Sequence, residues 1–352
     1  MIALEEKFLV NILYRPASEI LNGVDINNIN FEKLITLTSG HLMLPALFFN
    51  IQKKKASYLF PEDFIAYIKS IYAINKARNE ILLDEAKELS ELLVKNNIKH
   101  IFLKGTALLL SNVFEDIGER MMCDIDLIIR HKDEEKIKKV LEKNNYFNPR
   151  SDNLNEFFKP QHLPRLLHKN KIIGIEIHTE LLPALYRCIF NSKELIKDFK
   201  EEPKKNETPS KSFLFDHCIY GLQIDDQAFV TNHHSHRNIY DIYKLDCKKS
   251  VTIKNSTKDI YVRHFFINIE EFNIFDLQLP SSFWGIYQDK CLKILIFIFI
   301  KILTVIERYN NKILILIQLL CNNELRKRAL NKIRIHYHHK TLLNYTYRWL
   351  IG

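Results

Sequence analysis

No C-x-x-C pair occurs in this chain of 352 residues, whose six cysteines, Cys123, Cys188, Cys218, Cys247, Cys291 and Cys321, lie scattered. That sets aside a cysteine-built zinc site and a disulfide framework, and leaves reduced, buried thiols. The N-terminus, MIALEEKFLVNILYRP, carries two acids early and lacks the basic region, long apolar stretch and small-residue cleavage site of an export signal. Cytoplasmic residence is the expectation. The strongly apolar stretch Ile294 to Ile306 is interrupted by Lys301 and falls short of the roughly 20 residues that a span requires. It reads as a buried helix, so no transmembrane span is expected. No internal repeat is evident.

What is present is the profile of a soluble globular protein with a sizeable core, at 47% hydrophobic and 26% charged residues, long enough for two or three domains. The net charge of +9 is unevenly placed. From Ile286 to the end stand 12 lysines and arginines against 3 acids, while the rest of the chain balances at 39 of each sign. This basic end reads either as a solvated helix face or as a patch for an anionic membrane surface, nucleic acid or an acidic protein.

Residues 31 to about 94 repeat apolar positions at three and four, as helices do, with Pro61 suited to a first turn and Asn75 marking a place where the second helix runs on or breaks. The period then changes. Ile98 to Leu103 is a short apolar run, Thr106 to Leu110 opens a helix, and Asp124 to Ile129 has strand character. HKDEEKIKKVLEKNNY predicts an amphipathic helix with Ile137, Val140 and Leu141 inward. KIIGIEIH, residues 171–178, is a further strand, and QHLPRLLHKNK before it predicts a hairpin turning at Lys169 and Asn170. Helices and strands alternating in this way build an α/β arrangement around one sheet. Helices return after Leu182, broken by two polar stretches, KDFKEEPKKNETPSKS and KLDCKKSVTIKNSTKD, that read as loops.

The most informative residues are the two aspartates of Asp124-Ile125-Asp126. On a strand, residues two apart share a face, so these carboxylates project together as a hard-oxygen site for a divalent cation. Glu176 stands between Ile175 and Ile177, and the alternation turns it toward the same cleft if its strand lies beside the first. Three such acids suit Mg²⁺ or Mn²⁺, and with them phosphoryl or nucleotidyl transfer, with Glu176 either a third ligand or the acceptor of a proton. Gly105 sits where a strand turns into a helix and allows close approach of a phosphate; Thr106 adds a hydroxyl, and Lys104 and Arg120 add positive charge. His178, two residues past Glu176, faces the same side and is a secondary candidate, to orient substrate or the carboxylate or to serve as a structural hydrogen bonder.

The order Leu103-Lys104-Gly105, Arg120, Asp124-Ile125-Asp126-Leu127-Ile128, Tyr146, Glu176-Ile177-His178 resembles the uncharacterised nucleotidyltransferase family of the polymerase-β superfamily. LTSGHLMLPALF and Ala77-Arg78-Asn79 look like that family's leading helices, and Asp216-His217 and Arg237 to Asp241 like its trailing ones. Two departures stand out: Thr106 replaces a small second residue, and Gly105 lies 19 positions before Asp124, farther than in compact members.

The resemblance implies an α+β fold, a polymerase-β-type core of a small mixed sheet with helices. Its expected parts are an N-terminal helical region over 1–95, the nucleotidyltransferase core over 96–182, and a mainly helical C-terminal region over 183–352 with the basic end. It further implies metal-dependent transfer of a nucleoside monophosphate from a nucleoside triphosphate, ATP among the candidates, to an acceptor. Asp124, Asp126 and Glu176 would be catalytic and metal-holding, and Lys104, Gly105, Thr106 and Arg120 nucleotide-binding. The acceptor, whether small molecule, peptide, protein or tRNA, stays open. The alternative is a non-catalytic module of the same fold that binds RNA, anionic lipid or protein through its basic end.

Other clusters attract no role at this stage. The histidines of Asn232-His233-His234-Ser235-His236 point in different directions without a matching acid, and read as a solvent-facing loop or helix start. Glu115, Asp116 and Glu119 are expected to be solvated loop carboxylates, and the helical tyrosines and phenylalanines to be core.

Overall fold

The helical periodicity of the first hundred positions is realised in the computed structural model, which describes residues 2–149, 161–183, 203–245, 250–252 and 259–278, and isolated residues between 186 and 195. The chain divides into two compact units, one of residues 1–148 and 161–280, the other of 149–160 and 281–352. The Ile294–Ile306 segment and the basic end lie outside the described residues. No single helix among the described residues is long and apolar enough to cross a membrane.

Four helices lead the first unit: α1 (Leu4–Tyr14), α2 (Phe31–Gly40), α3 (Leu44–Lys53) and α4 (Glu62–Lys95). Asn30 begins α2 by accepting the Lys33 backbone N–H at 3.0 Å, which satisfies a donor the helix cannot. Helix α4 follows Pro61 and runs 34 residues without a break at Asn75. The reason lies in where that side chain is used. Asn75, 3% exposed, donates to the carbonyls of Gly118 and Arg120 at 2.8 and 3.0 Å, so it does not compete for its own helix backbone. One turn on, Asn79 donates to the carbonyls of Ile117 and Arg120 at 2.5 and 2.7 Å. Two amides four residues apart thus pin the loop that precedes the D-I-D strand.

That loop also caps itself. Asp116 accepts the Gly118 N–H and Glu119 accepts the Asp116 N–H, a capping box around the turn Ile117–Glu119. Glu119 is buried, contrary to the expectation of a solvated carboxylate. Tyr240 donates to it at 2.6 Å and Lys244 lies 2.8 Å away, partners supplied by a helix more than a hundred residues later.

The sheet has the order β1 (His100–Phe102), β2 (Asp124–Ile129), β5 (Gly174–His178), with β1 antiparallel and β5 parallel to β2. Helix α5 (Lys104–Leu110) joins β1 to β2; α6 (Glu134–Lys143) follows β2, with Ile137 and Leu141 buried and Val140 half-buried. Strands β3 (Tyr146–Phe147) and β4 (Leu167–His168) pair with each other. The expected hairpin is present in reduced form: bridges join Leu166 to Ile175 and His162 to His178, antiparallel, while β4 itself pairs with β3.

Register decides the face of every side chain. Ile125, Leu127, Ile129, Ile175 and Ile177 are all buried on the face opposite Asp124, Asp126 and Glu176. A one-residue slip would exchange these apolar side chains with Asp126, Glu176 and His178 on the other face, so the pairing is strongly specified.

The first unit continues with α7 (Lys211–Tyr220), a π-turn at Gly221–Asp225, α8 (Ala228–Thr231), α9 (His236–Lys244) and α10 (Asp259–Asn268). Strands β6 (Ser250–Thr252) and β7 (Asp276–Gln278) pair in parallel, so a short strand lies within a stretch expected to be loop. Cys123 is exposed and Cys218 half-buried, both as free thiols. The Cys123 side chain is therefore not in the core.

Candidate active site

Parallel pairing of β2 with β5 sets Asp126 beside Glu176 and Ile128 beside His178, all on one face with Asp124. Ligand atoms of Asp126, Glu176 and His178 lie within 4.8 Å of one another. The tightest group therefore includes His178 and leaves Asp124 at its edge, 4.0 Å from the Arg165 guanidinium. His178 is buried and donates from Nε2 to Asp126 Oδ1 at 2.9 Å; burial holds its pKa low, which keeps the ring neutral and the proton on that nitrogen.

The charge balance on this face is uneven. Burial pushes Asp124 up to about 6, aided by the neighbouring charges of Asp126 and Glu176. For Asp126 burial works in the same direction, but the Lys104 ammonium and the His178 hydrogen bond outweigh it and hold the carboxyl well below its ordinary range. Lys104 Nζ lies 2.8 Å from Asp126 and 3.8 Å from Glu176. Burial draws that ammonium down, and the three carboxylates more than restore it. A cluster of three carboxylates, one of them oriented by an imidazole N–H and together carrying more negative charge than Lys104 and Arg165 balance, fits a divalent cation.

Lys104 reaches the site from an unusual backbone. Its φ of +48° is left-handed, a conformation that costs a non-glycine residue about 1–2 kcal/mol. The turn from β1 into α5 is therefore made at Lys104, whereas Gly105 serves close packing: a Cβ there would overlap Arg120 Nη1 and Met122 Sδ. Thr106 is buried and turned to the strand, donating to the Asp124 carbonyl at 3.4 Å and accepting from the Asp126 N–H at 3.3 Å. Its hydroxyl ties α5 to β2.

Arg120 is engaged with Asp241 of α9 through Nε at 2.9 Å and Nη2 at 2.8 Å. Its remaining nitrogen, Nη1, lies against Gly105 and 3.3 Å from the Met121 carbonyl. A second glycine repeats the device. A Cβ on Gly174 would come within 2.8 Å of Arg165 Nη2, so the missing side chain makes room for the guanidinium beside Asp124.

Arg165, Asp241, His217 and Asp225 belong to this neighbourhood and escaped the sequence reading as site residues. Burial pushes His217 down to about 3, with Lys104 and His178 adding to it, and pushes Asp225 up to about 6. Gln161 Nε2 lies 3.3 Å from the Asp225 carboxylate. Asp241 and His217 did carry a signal, since both fall in segments resembling the family's trailing helices. Arg165 carried none beyond its place next to a strand.

No curated protein and no solved structure matches the chain. A family model does, over residues 27–250, which embraces α2 to α4, the sheet, the carboxylate face and α9. The chain belongs to this family, the uncharacterised nucleotidyltransferases.

Proposed function

We propose that the protein is a metal-dependent nucleotidyltransferase that moves a nucleoside monophosphate from a nucleoside triphosphate to an acceptor hydroxyl, whose oxygen bonds the α-phosphorus as pyrophosphate leaves. The observation that carries this reading is the carboxylate face itself: Asp124, Asp126 and Glu176 on adjacent parallel strands, with His178 and Lys104 bonded to Asp126.

Asp126 and Glu176, with Asp124 at the edge, would hold Mg²⁺ or Mn²⁺. A bound divalent cation would supply charge neutralisation for the phosphoryl oxygens. His178, buried and neutral, orients the Asp126 carboxylate through its Nε2–H. Lys104 places an ammonium at the same face, where it can bind a triphosphate oxygen. Arg165, lodged against Gly174, adds a guanidinium beside Asp124, while Arg120, lodged against Gly105, is held by Asp241. Glu176, more exposed than Asp126, would alternatively accept the proton that an acceptor hydroxyl loses, in which case Asp124 and Asp126 hold the ion.

The test is Mg²⁺-dependent binding of a labelled nucleoside triphosphate to the intact chain and to its Asp124→Asn/Asp126→Asn variant. The variant should keep its circular dichroism and lose binding by at least about tenfold, the equivalent of 1.4 kcal/mol. Unchanged binding in a folded double variant refutes the proposal. Incubation with each labelled nucleotide and small-molecule, protein and tRNA fractions then identifies the acceptor by where label appears.

A further inference from the structure

Glu6, His41, His234 and His236 come together from three distant parts of the chain, away from the carboxylate face. Glu6 lies on α1, His41 just after α2, and His234 and His236 at the start of α9. The histidines expected to face solvent are drawn inward: His236 is fully buried and His234 half-buried. The ring centroids of His41 and His236 are 4.8 Å apart, and those of His234 and His236 are 5.1 Å apart. One ligand atom from each of the three rings lies within 4.8 Å of the others.

Hydrogen bonding accounts for only part of this cluster. Glu6 Oε1 accepts from His234 Nε2 at 2.8 Å and from His236 Nε2 at 3.0 Å. A neutral ring that donates from Nε2 has its lone pair on Nδ1. The His236 Nδ1 is buried and has no hydrogen-bond partner among the described residues, which a network built only for hydrogen bonding would not leave in place. A carboxylate holding the outer N–H of an imidazole is the arrangement that orients histidines toward a metal ion.

We infer that His41, His234 and His236 form a second metal site, for a zinc-class transition ion, with Glu6 orienting two of the rings and solvent completing the coordination. Three neutral imidazoles suit such an ion, whereas Mg²⁺ prefers oxygen. Nitrogens at 2.0–2.1 Å from zinc stand about 3.4 Å apart at tetrahedral angles, so the rings need approach by no more than about 1.4 Å from the 4.8 Å spread. Joining α2 to α9 across 195 positions, the ion would brace the helices on either side of the sheet sequence.

The experiment uses the full chain carrying Asp124→Asn, Asp126→Asn and Glu176→Gln, stripped of metal by chelation, so that the carboxylate face keeps no acid. Co²⁺ is the probe. One equivalent should bind with the intense visible d–d absorption of four- or five-coordinate cobalt, be displaced by Zn²⁺, and raise the thermal unfolding temperature. Absence of that spectrum, or a weak six-coordinate one, overturns the proposal and requires no further variant. Adding His234→Gln, at a half-exposed position that leaves the buried ring intact, should weaken binding at least tenfold, with His41→Gln as the second variant. Unchanged affinity in a folded histidine variant overturns it equally.

Discussion

Arg120 and Asp241, 121 positions apart, form a two-pronged ion pair in which Nε and Nη2 of the guanidinium each meet the carboxylate, at 2.9 and 2.8 Å. Their side chains are 10% and 3% exposed. This contact joins the loop before β2 to α9 and sets the Nη1 edge of the guanidinium, which donates to the Met121 carbonyl and Met122 Sδ, beside Gly105. Burial makes the pair asymmetric in its consequences: neither partner gains much from being there, but each is costly to leave alone.

Asp241→Ala should therefore destabilise the protein by about 3–5 kcal/mol, because a buried guanidinium loses its counter-charge. Arg120→Met with Asp241→Leu should sit closer to the parent than either single change. Urea unfolding monitored by circular dichroism measures all three. An Asp241→Ala variant within experimental error of the parent would show that the pair is not structural.

Lys104→Met removes the ammonium nearest Asp126 and Glu176. Because that cation competes with any ion held by the carboxylates, Mg²⁺ affinity in the absence of nucleotide should rise, by about tenfold if the competing interaction is near 1.4 kcal/mol. Nucleotide affinity should fall if, as proposed, Lys104 binds a triphosphate oxygen. Isothermal titration of each ligand separates the two effects, and a drop in Mg²⁺ affinity would mean that Lys104 does not oppose the ion.

His100 gives a pH dependence whose sign follows from burial. Desolvation lowers this ring to about 4 from its ordinary 6.5, and its Nε2 is hydrogen-bonded to Ser90 at 2.8 Å. The unfolded chain takes up a proton below about 6.5 while the folded one resists it to about 4, so stability is full above 6.5 and declines as pH falls between those values. The loss from this one ring approaches about 3 kcal/mol at the acid end. His264, also lowered to about 4 by burial, adds a parallel contribution. His100→Gln should flatten the curve of unfolding free energy between pH 6.5 and 4 without levelling it; an identical slope would assign the effect elsewhere.

Much of the candidate site is legible in local pattern. The alternation around Asp124, Asp126 and Glu176 sets their common face, and parallel pairing of β2 with β5 makes the face continuous. His178 follows from the same alternation, and its contact is with Asp126 directly. Less legible were the roles around the β1–α5 turn. Left-handed backbone falls at Lys104, Gly105 yields space to Arg120, and Thr106 turns to the strand. Those outcomes depend on which side chain occupies each gap, and residue type alone does not specify that.

The helices, the strand periods, the shared face of Asp124 and Asp126 and the order of motifs that marks the family were determined by sequence alone, because alternation and helical spacing act over a few residues, whereas the pairing that brings Glu176 to that face is tertiary. Tertiary structure decided what meets across the chain: Arg165 at Asp124, Asp241 at Arg120, Tyr240 at Glu119, and Glu6 with His41 at His234 and His236. Each of these contacts joins groups that carry no local signature of one another. Burial then sets their chemistry, since a charge or ring nitrogen removed from water must find its partner in whatever the fold brings beside it.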